Sequence, residues 1–328
     1  MLRASATFIA LAVLVSGIAA AAANPDTWRH EWPKTDFSRH SVPFADILSG
    51  GPPKDGIPAI DEPRFKRAAE VTELGGREPV IGVVQGGIAK AYPLRVLMWH
   101  EIVNDRIGDL PVAVTFCPLC NAAIVFDRRL DGQTLDFGTT GKLRNSDLVM
   151  YDRQTESWWQ QFLGRGIVGT MTEKTLKIVP SRLESWEKFK ERAPQGLVLV
   201  PADPDARAYG ANPYVGYDSL PRPFLYGGAL PDGIPPLARV LSLEGRDKAW
   251  SLDYLRLAGE IRLDDGTIIR WTPGQASALD RADIARGKEV GNITARKSGP
   301  DGLRDIPYFV DFAFSFNAFY PDIPIRQK

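Results

Sequence analysis

The 328-residue sequence holds only two cysteines and three histidines. A secreted fold stapled by disulfides needs several cysteine pairs, so this chain must rest on its apolar core. It also lacks a charge surplus, because 40 Lys and Arg cancel 40 Asp and Glu. Without a basic excess to neutralise phosphates, nucleic acid and anionic membrane surfaces are poor partners. After the first 23 residues no apolar run approaches the ~20 residues that span a bilayer, so no transmembrane span is expected in the mature chain. Walker-type and dinucleotide glycine fingerprints are missing, and GTTGK (138–142) lacks P-loop spacing, so no nucleotide cofactor is expected. There is no G-x-S-x-G elbow, and a serine triad would have to draw on His30, His40 or His100.

What is present begins with a leader. Arg3, an apolar stretch from Phe8 to Ile18 and small residues from Ala19 to Ala23 read as an export signal cleaved before Asn24, over residues 1–23. The reading is a periplasmic or secreted protein, with an uncleaved membrane anchor as the alternative. Composition is otherwise that of a globular chain, 44% apolar and 24% charged. Glycine and proline together make 56 residues (30 + 26), which favours turns over a helical bundle.

Self-comparison reveals a repeat. ILSGGPPKDGIPAI (47–60) and FLYGGALPDGIPPL (224–237) share seven of 14 positions, where about one is expected by chance. KAYPLRVL (90–97) matches KAWSLDYL (248–255), VTFCPLCNAA (114–123) matches IRWTPGQASA (269–278), and SWWQQF (157–162) matches SFNAFY (315–320), all in one order. Phe116 answers Trp271, while both cysteines are replaced in the second copy. The resulting division is an N-terminal segment 24–44, a first module 45–165, a connecting segment 166–221 with one helix, and a second module 222–328. The two modules are expected to pack as a pseudo-symmetric pair.

Strand signals dominate. β-Branched or aromatic runs lie at 80–85, 110–116, 122–126, 147–151, 177–179, 197–200, 260–263, 267–271 and 308–316, with turns at Asp131-Gly132 and Asp265-Gly266. Helices are expected at 94–103 after Pro93, behind a Ser181-x-x-Glu184 capping box, and after Ser251. The fold class is therefore mainly β (α+β) with a few short helices.

Chemistry concentrates in 99–121, where a helix bearing His100 leads into a strand ending in Cys117-Pro118-Leu119-Cys120. Two thiolates and an imidazole suit copper or zinc, with a fourth position for Met150, an Asp or Glu, water or substrate. The same residues could instead work as a thiol-disulfide oxidoreductase of non-thioredoxin fold, since the segment after the motif, AAIVFDRRLDG, reads as a strand and hairpin and not as an amphipathic helix. A third reading is a non-catalytic module with structural cysteines that holds a small ligand. Its binding residues would come from the polar span 137–162, where Thr139, Thr140, Lys142, Arg144, Asn145, Ser146, Tyr151 and Asp152 could take a small polar or anionic ligand. The alternative there is a loop that satisfies its own backbone.

The segments SGGPPKDGIPAID, YPLRVLMWHEIVND, VTFCPLCNAAIVFD, FGTTGKLRNSDLVMYDRQTESWWQQF, YGANPYVGYD and PGQASALD together resemble a bacterial family known as domain of unknown function 3179. The resemblance runs over nearly the whole mature chain. It implies an exported or membrane-anchored protein in which the segments holding His100, Cys117 and Cys120 are hallmarks, and it implies no reaction. The family's closing aromatic motif is associated with His or Trp where this chain has Asn317.

Overall fold

A computed structural model describes residues 25–299 and 302–328, so the expected leader lies outside the described residues. The fold is mainly β. All five described α-helices are of seven residues or fewer, and the strands form several sheets.

Strand Pro79–Gln85 turns through Gly86 and Gly87 into Ile88–Pro93. Both glycines have positive φ, which a two-residue hairpin of this twist requires. Pro93 ends the strand with its φ held near that of a helix, and helix Leu94–His100 follows. Ser181–Ser185 lies antiparallel beside Pro79–Gln85, Leu197–Val200 lies parallel beside Ile88–Pro93, and Arg64–Arg67 forms the edge. Helix Trp186–Arg192 packs Trp186 and Phe189 against Val80, Ala91 and Val198. Each such fully buried apolar side chain contributes roughly 2–3 kcal/mol of transfer free energy.

A four-stranded sheet in the C-terminal half runs Tyr308–Phe312, Arg239–Leu243, Ala249–Ser251, Ile325–Arg326, with pairings that are antiparallel, antiparallel and parallel. Helix Leu252–Ala258 follows its third strand, with Ser251 accepting from the Tyr254 N–H at 3.1 Å. Helix Ala313–Phe319 follows Tyr308–Phe312. Two meanders complete the halves: Ile102–Ile107, Leu110–Cys117 and Ala122–Asp127 in one, and Glu260–Arg262, Thr267–Thr272, Asn292–Gly299 and Gly302–Asp305 in the other.

A further antiparallel sheet orders Ile47–Ser49, Phe137–Arg144, Asp147–Asp152, Trp158–Gln160 and Arg165–Val168. Residues 25–44 lie across it as a strap, with Trp32 and Phe37 edge-on to Trp158. One continuous apolar core joins residues of both halves, from Ile81 to Phe314.

Several sequence expectations change. The helix predicted to reach Val103 stops at His100, because Glu101 turns to φ 57° and Ile102 begins a strand. Ser181 to Glu184 is strand and no capping box; Ser185 caps the helix instead, accepting from the Lys188 N–H at 3.4 Å. The aromatic run 308–316 divides into strand Tyr308–Phe312 and helix Ala313–Phe319, and the run is buried throughout, where periodicity gives no guide. Consequently 157–162 and 315–320 differ in conformation: the first is strand and 3-10 turn, the second helix and its cap. Residues 177–179 make only an isolated bridge, Ile178 to Phe126.

Candidate metal centre

Cys117 is the last residue of strand Leu110–Cys117 and pairs with Ala122 on the returning strand. Between them Pro118 to Cys120 form one 3-10 turn, opened by a proline and closed by Asn121 at φ 53°. Asn tolerates that left-handed conformation, so the loop can reverse without glycine. The hairpin end thus carries both thiols, and both are buried and free.

Asp147 approaches from another sheet. The tight turn Asn145-Ser146, with φ of 53° and 64°, reverses the chain so that Asp147 opens its strand opposite Arg144. The Ser146 carbonyl lies 3.8 Å from Cys117 Sγ. Cys117 Sγ, Cys120 Sγ and a carboxylate oxygen of Asp147 all lie within 4.8 Å of one another. Asp147 Oδ2 accepts from Gln160 Nε2 at 2.6 Å and from the Phe162 N–H at 2.9 Å. Its Oδ1 is buried with no hydrogen-bond partner.

Burial sets the electrostatics. It raises Cys117 and pushes Cys120 well above the ordinary thiol value, each reinforced by its acidic neighbours. It lifts Asp147 to about 7, with Asp311 adding repulsion. Glu101, at the end of the His100 helix, is lifted to about 8, first by burial and then by Asp147. Burial also raises Tyr214, and the charges of Glu101 and Cys117 raise it further. Two thiols and two carboxyl groups therefore share one dry region, a strongly unfavourable arrangement for anions without a cation.

The surroundings come from distant parts of the chain. Tyr217 donates its hydroxyl to the Leu119 carbonyl at 3.0 Å, and Asn121 Nδ2 donates to the Val310 carbonyl at 2.7 Å. Asp311, fully buried, is paired with Arg246, whose guanidinium sits between the rings of Phe162 and Phe309 at 4.1 and 3.8 Å.

The predicted site residues are only partly brought together. Cys117 and Cys120 meet, but His100 does not join them: its Nδ1 is 2.8 Å from the Pro58 carbonyl and its Nε2 2.8 Å from the Tyr209 hydroxyl. Both ring nitrogens are thus occupied, and His100 stands outside the 4.8 Å cluster that holds the thiols. Met150 packs in the apolar core beside its strand partners Thr139 and Trp159. The third donor is Asp147, which lay inside the polar span but carried no local signal marking it out from its neighbours.

Most of the other predicted residues of that span are bonded within the fold, although Arg144 Nε is buried without a hydrogen-bond partner. Thr139 donates to the Ile57 carbonyl, Thr140 to the Val149 carbonyl and Ser146 to the Phe224 carbonyl. Lys142 lies under the strap, 5.4 Å from the ring centres of Trp28 and Trp158 and 5.8 Å from Trp32. Arg144 reaches Gln160 and Asp46, Tyr151 donates to Asp55, and Asp152 accepts from Thr155 and the Trp159 indole. Asn145 serves the tight turn. Instead of an open ligand mouth, this span is a hydrogen-bonded sheet covered by residues 25–44.

Fold and site together define a mainly β protein with a buried dithiol–carboxylate cluster at one hairpin end. The family model described as "Protein of unknown function (DUF3179)" matches residues 54–323, and the chain belongs to that family. No curated protein and no solved structure matches it. No helix among the described residues is long and apolar enough to cross a membrane.

Proposed function

We propose that this is an exported metal-binding protein whose Cys117, Cys120 and Asp147 hold a zinc ion, with copper the competing metal. The convergence of two buried sulfurs and a carboxylate within 4.8 Å carries the reading. Two thiolates on one tetrahedral zinc stand about 3.8 Å apart, given Zn–S bonds of ~2.3 Å, so closure needs a shift of at most about 1 Å. The unpartnered Asp147 Oδ1 is the oxygen that such an ion would satisfy. Thiolates accept either metal, whereas a carboxylate donor favours zinc over Cu(I). Burial favours retention of the ion over exchange with a partner. It also weighs against thiol–disulfide turnover, which needs an exposed, low-pKa thiol.

The test is metal analysis of purified protein after zinc loading under reducing conditions. One zinc per chain is expected for the wild type, and much less for Cys117→Ser, Cys120→Ser and Asp147→Asn variants that keep their circular dichroism. Failure of the wild type to take up stoichiometric zinc or copper refutes the reading.

The two halves are, on this reading, copies of one unit. Sheet register supports it: Val80 faces Pro93 and Glu184, as Val240 faces Ser251 and Asp311. Phe116 donates to the Glu101 carbonyl, as Trp271 donates to that of Gly259. This register favours units of 79–200 and 239–326, so that helix Trp186–Arg192 answers helix Ala313–Phe319 and 166–221 is no mere connector. Only the first unit holds the cysteines, so metal binding belongs to one copy and the second supplies walls.

A further inference from the structure

The register that equates the two halves also pairs Glu101 with Gly259. Each follows the last residue of a seven-residue helix, each donates its N–H at 2.8 Å four residues back, to Leu97 or Leu255, and each carbonyl accepts from the next strand but one. Each has positive φ, 57° for Glu101 and 70° for Gly259. Glycine takes that conformation without penalty, whereas a residue with a Cβ is strained by of order 1 kcal/mol or more. The second copy thus uses the residue that backbone geometry favours, and the first uses a glutamate.

The side chain of Glu101 has no local task that offsets this cost. The residue is 8% exposed, and its carboxylate takes part in no hydrogen bond or ion pair among the described residues. Its carbonyl accepts from the Phe116 N–H at 2.8 Å, which sets its backbone beside the residue before Cys117, and its charge acts on Asp147, Cys117 and Tyr214. A nine-tenths-buried carboxylate without a donor needs a cation or a proton. The cluster of Cys117, Cys120 and Asp147 needs one more donor to complete a tetrahedron.

The geometry points to Glu101 as the fourth ligand of the cluster, which rests on the metal site proposed above. The donor set becomes two thiolates and two carboxylates, and this explains why strain is kept at one copy of the helix end and not at the other. The Glu101 carboxylate stands outside the 4.8 Å cluster, so binding the ion needs a rotamer change at Glu101.

Zinc affinity measured by competition with a chromophoric chelator tests this. Glu101→Gln is expected to weaken zinc at least tenfold, and its Co(II)-substituted form to show a shifted d–d spectrum as a carboxylate leaves the ion. Glu101→Gly is expected to weaken zinc as much while raising the melting temperature of the metal-stripped protein, since it restores the residue used in the second copy. Zinc affinity within twofold of wild type in both variants overturns Glu101 as a ligand and leaves the three-donor site standing. A wild type that binds no zinc overturns both.

Discussion

Arg246→Met is the sharpest test of how the second half supports the site. The guanidinium is 4% exposed and its partner Asp311 not at all. It also donates to the Phe162 carbonyl at 3.3 Å and to Ser242 Oγ at 3.4 Å, and presents its two faces to Phe162 and Phe309. Methionine keeps most of the volume and fills the slot between the rings, so cavity cost is small. What remains is a buried carboxylate stripped of its counter-charge, which costs about 3–5 kcal/mol. Loss of two desolvated cation–π contacts adds about 1–2 kcal/mol after the thioether's own ring contacts are credited. A fall of roughly 4–7 kcal/mol lowers the melting temperature by about 6–11 °C in a chain of this size. Urea unfolding followed by tryptophan fluorescence measures it. Neutralising the orphan in Arg246→Met/Asp311→Asn should return at least ~2 kcal/mol, since contacting partners are non-additive. A single variant within ~1 kcal/mol of wild type, or a double variant no better than the single, refutes the argument.

Burial and charge set two further outcomes. A thiol reagent such as Ellman's should label the native reduced protein at no more than a small percentage of the unfolded rate, because Cys117 and Cys120 are 1% and 0% exposed, and should titrate two thiols in urea; rapid native labelling contradicts the closed site. Asp218 is opposed by burial, but Arg239 at 3.1 Å, the Ser277 hydroxyl and Lys288 at 2.9 Å outweigh it and hold the carboxylate below its ordinary value. A depressed folded value contributes stability above the unfolded pKa of ~3.9 that is lost as pH falls through the lower folded value. Asp218→Asn should therefore be less stable than wild type at pH 7, with the gap narrowing from about pH 4 downward; a gap that does not change between pH 7 and pH 3 argues against it.

The strands were legible wherever β-branched runs alternate or end in turn residues, as at 80–85, 110–116, 122–126 and 267–271, all of which form strands. Strand Phe137–Arg144 was not, because its polar threonines satisfy carbonyls 82 and 9 residues away that local pattern cannot reveal. The helix end at His100 escaped notice because nothing in the sequence marks Glu101 as a residue of positive φ, whereas Gly259 signals the same turn after helix Leu252–Ala258. At the site, the two cysteines announced themselves by spacing alone. Asp147 did not, since its nearness to them depends on a turn well further along the chain and on the packing of two sheets. His100 was drawn toward the thiols by sequence proximity, while the fold bonds it to Pro58 and Tyr209.

The hydrogen bonds that fasten the Cys117–Asn121 loop span 98 residues to Tyr217 and 189 residues to Val310. Contacts of such separation form late, since loop closure must be completed first. The hairpin itself is local and forms early, so for much of folding two thiols three residues apart stand open to solvent. For a protein that binds a metal as proposed, that interval is when a metal or an oxidant reaches the two sulfurs most readily. Docking of Val310 then closes the loop over the state that the sulfurs have reached.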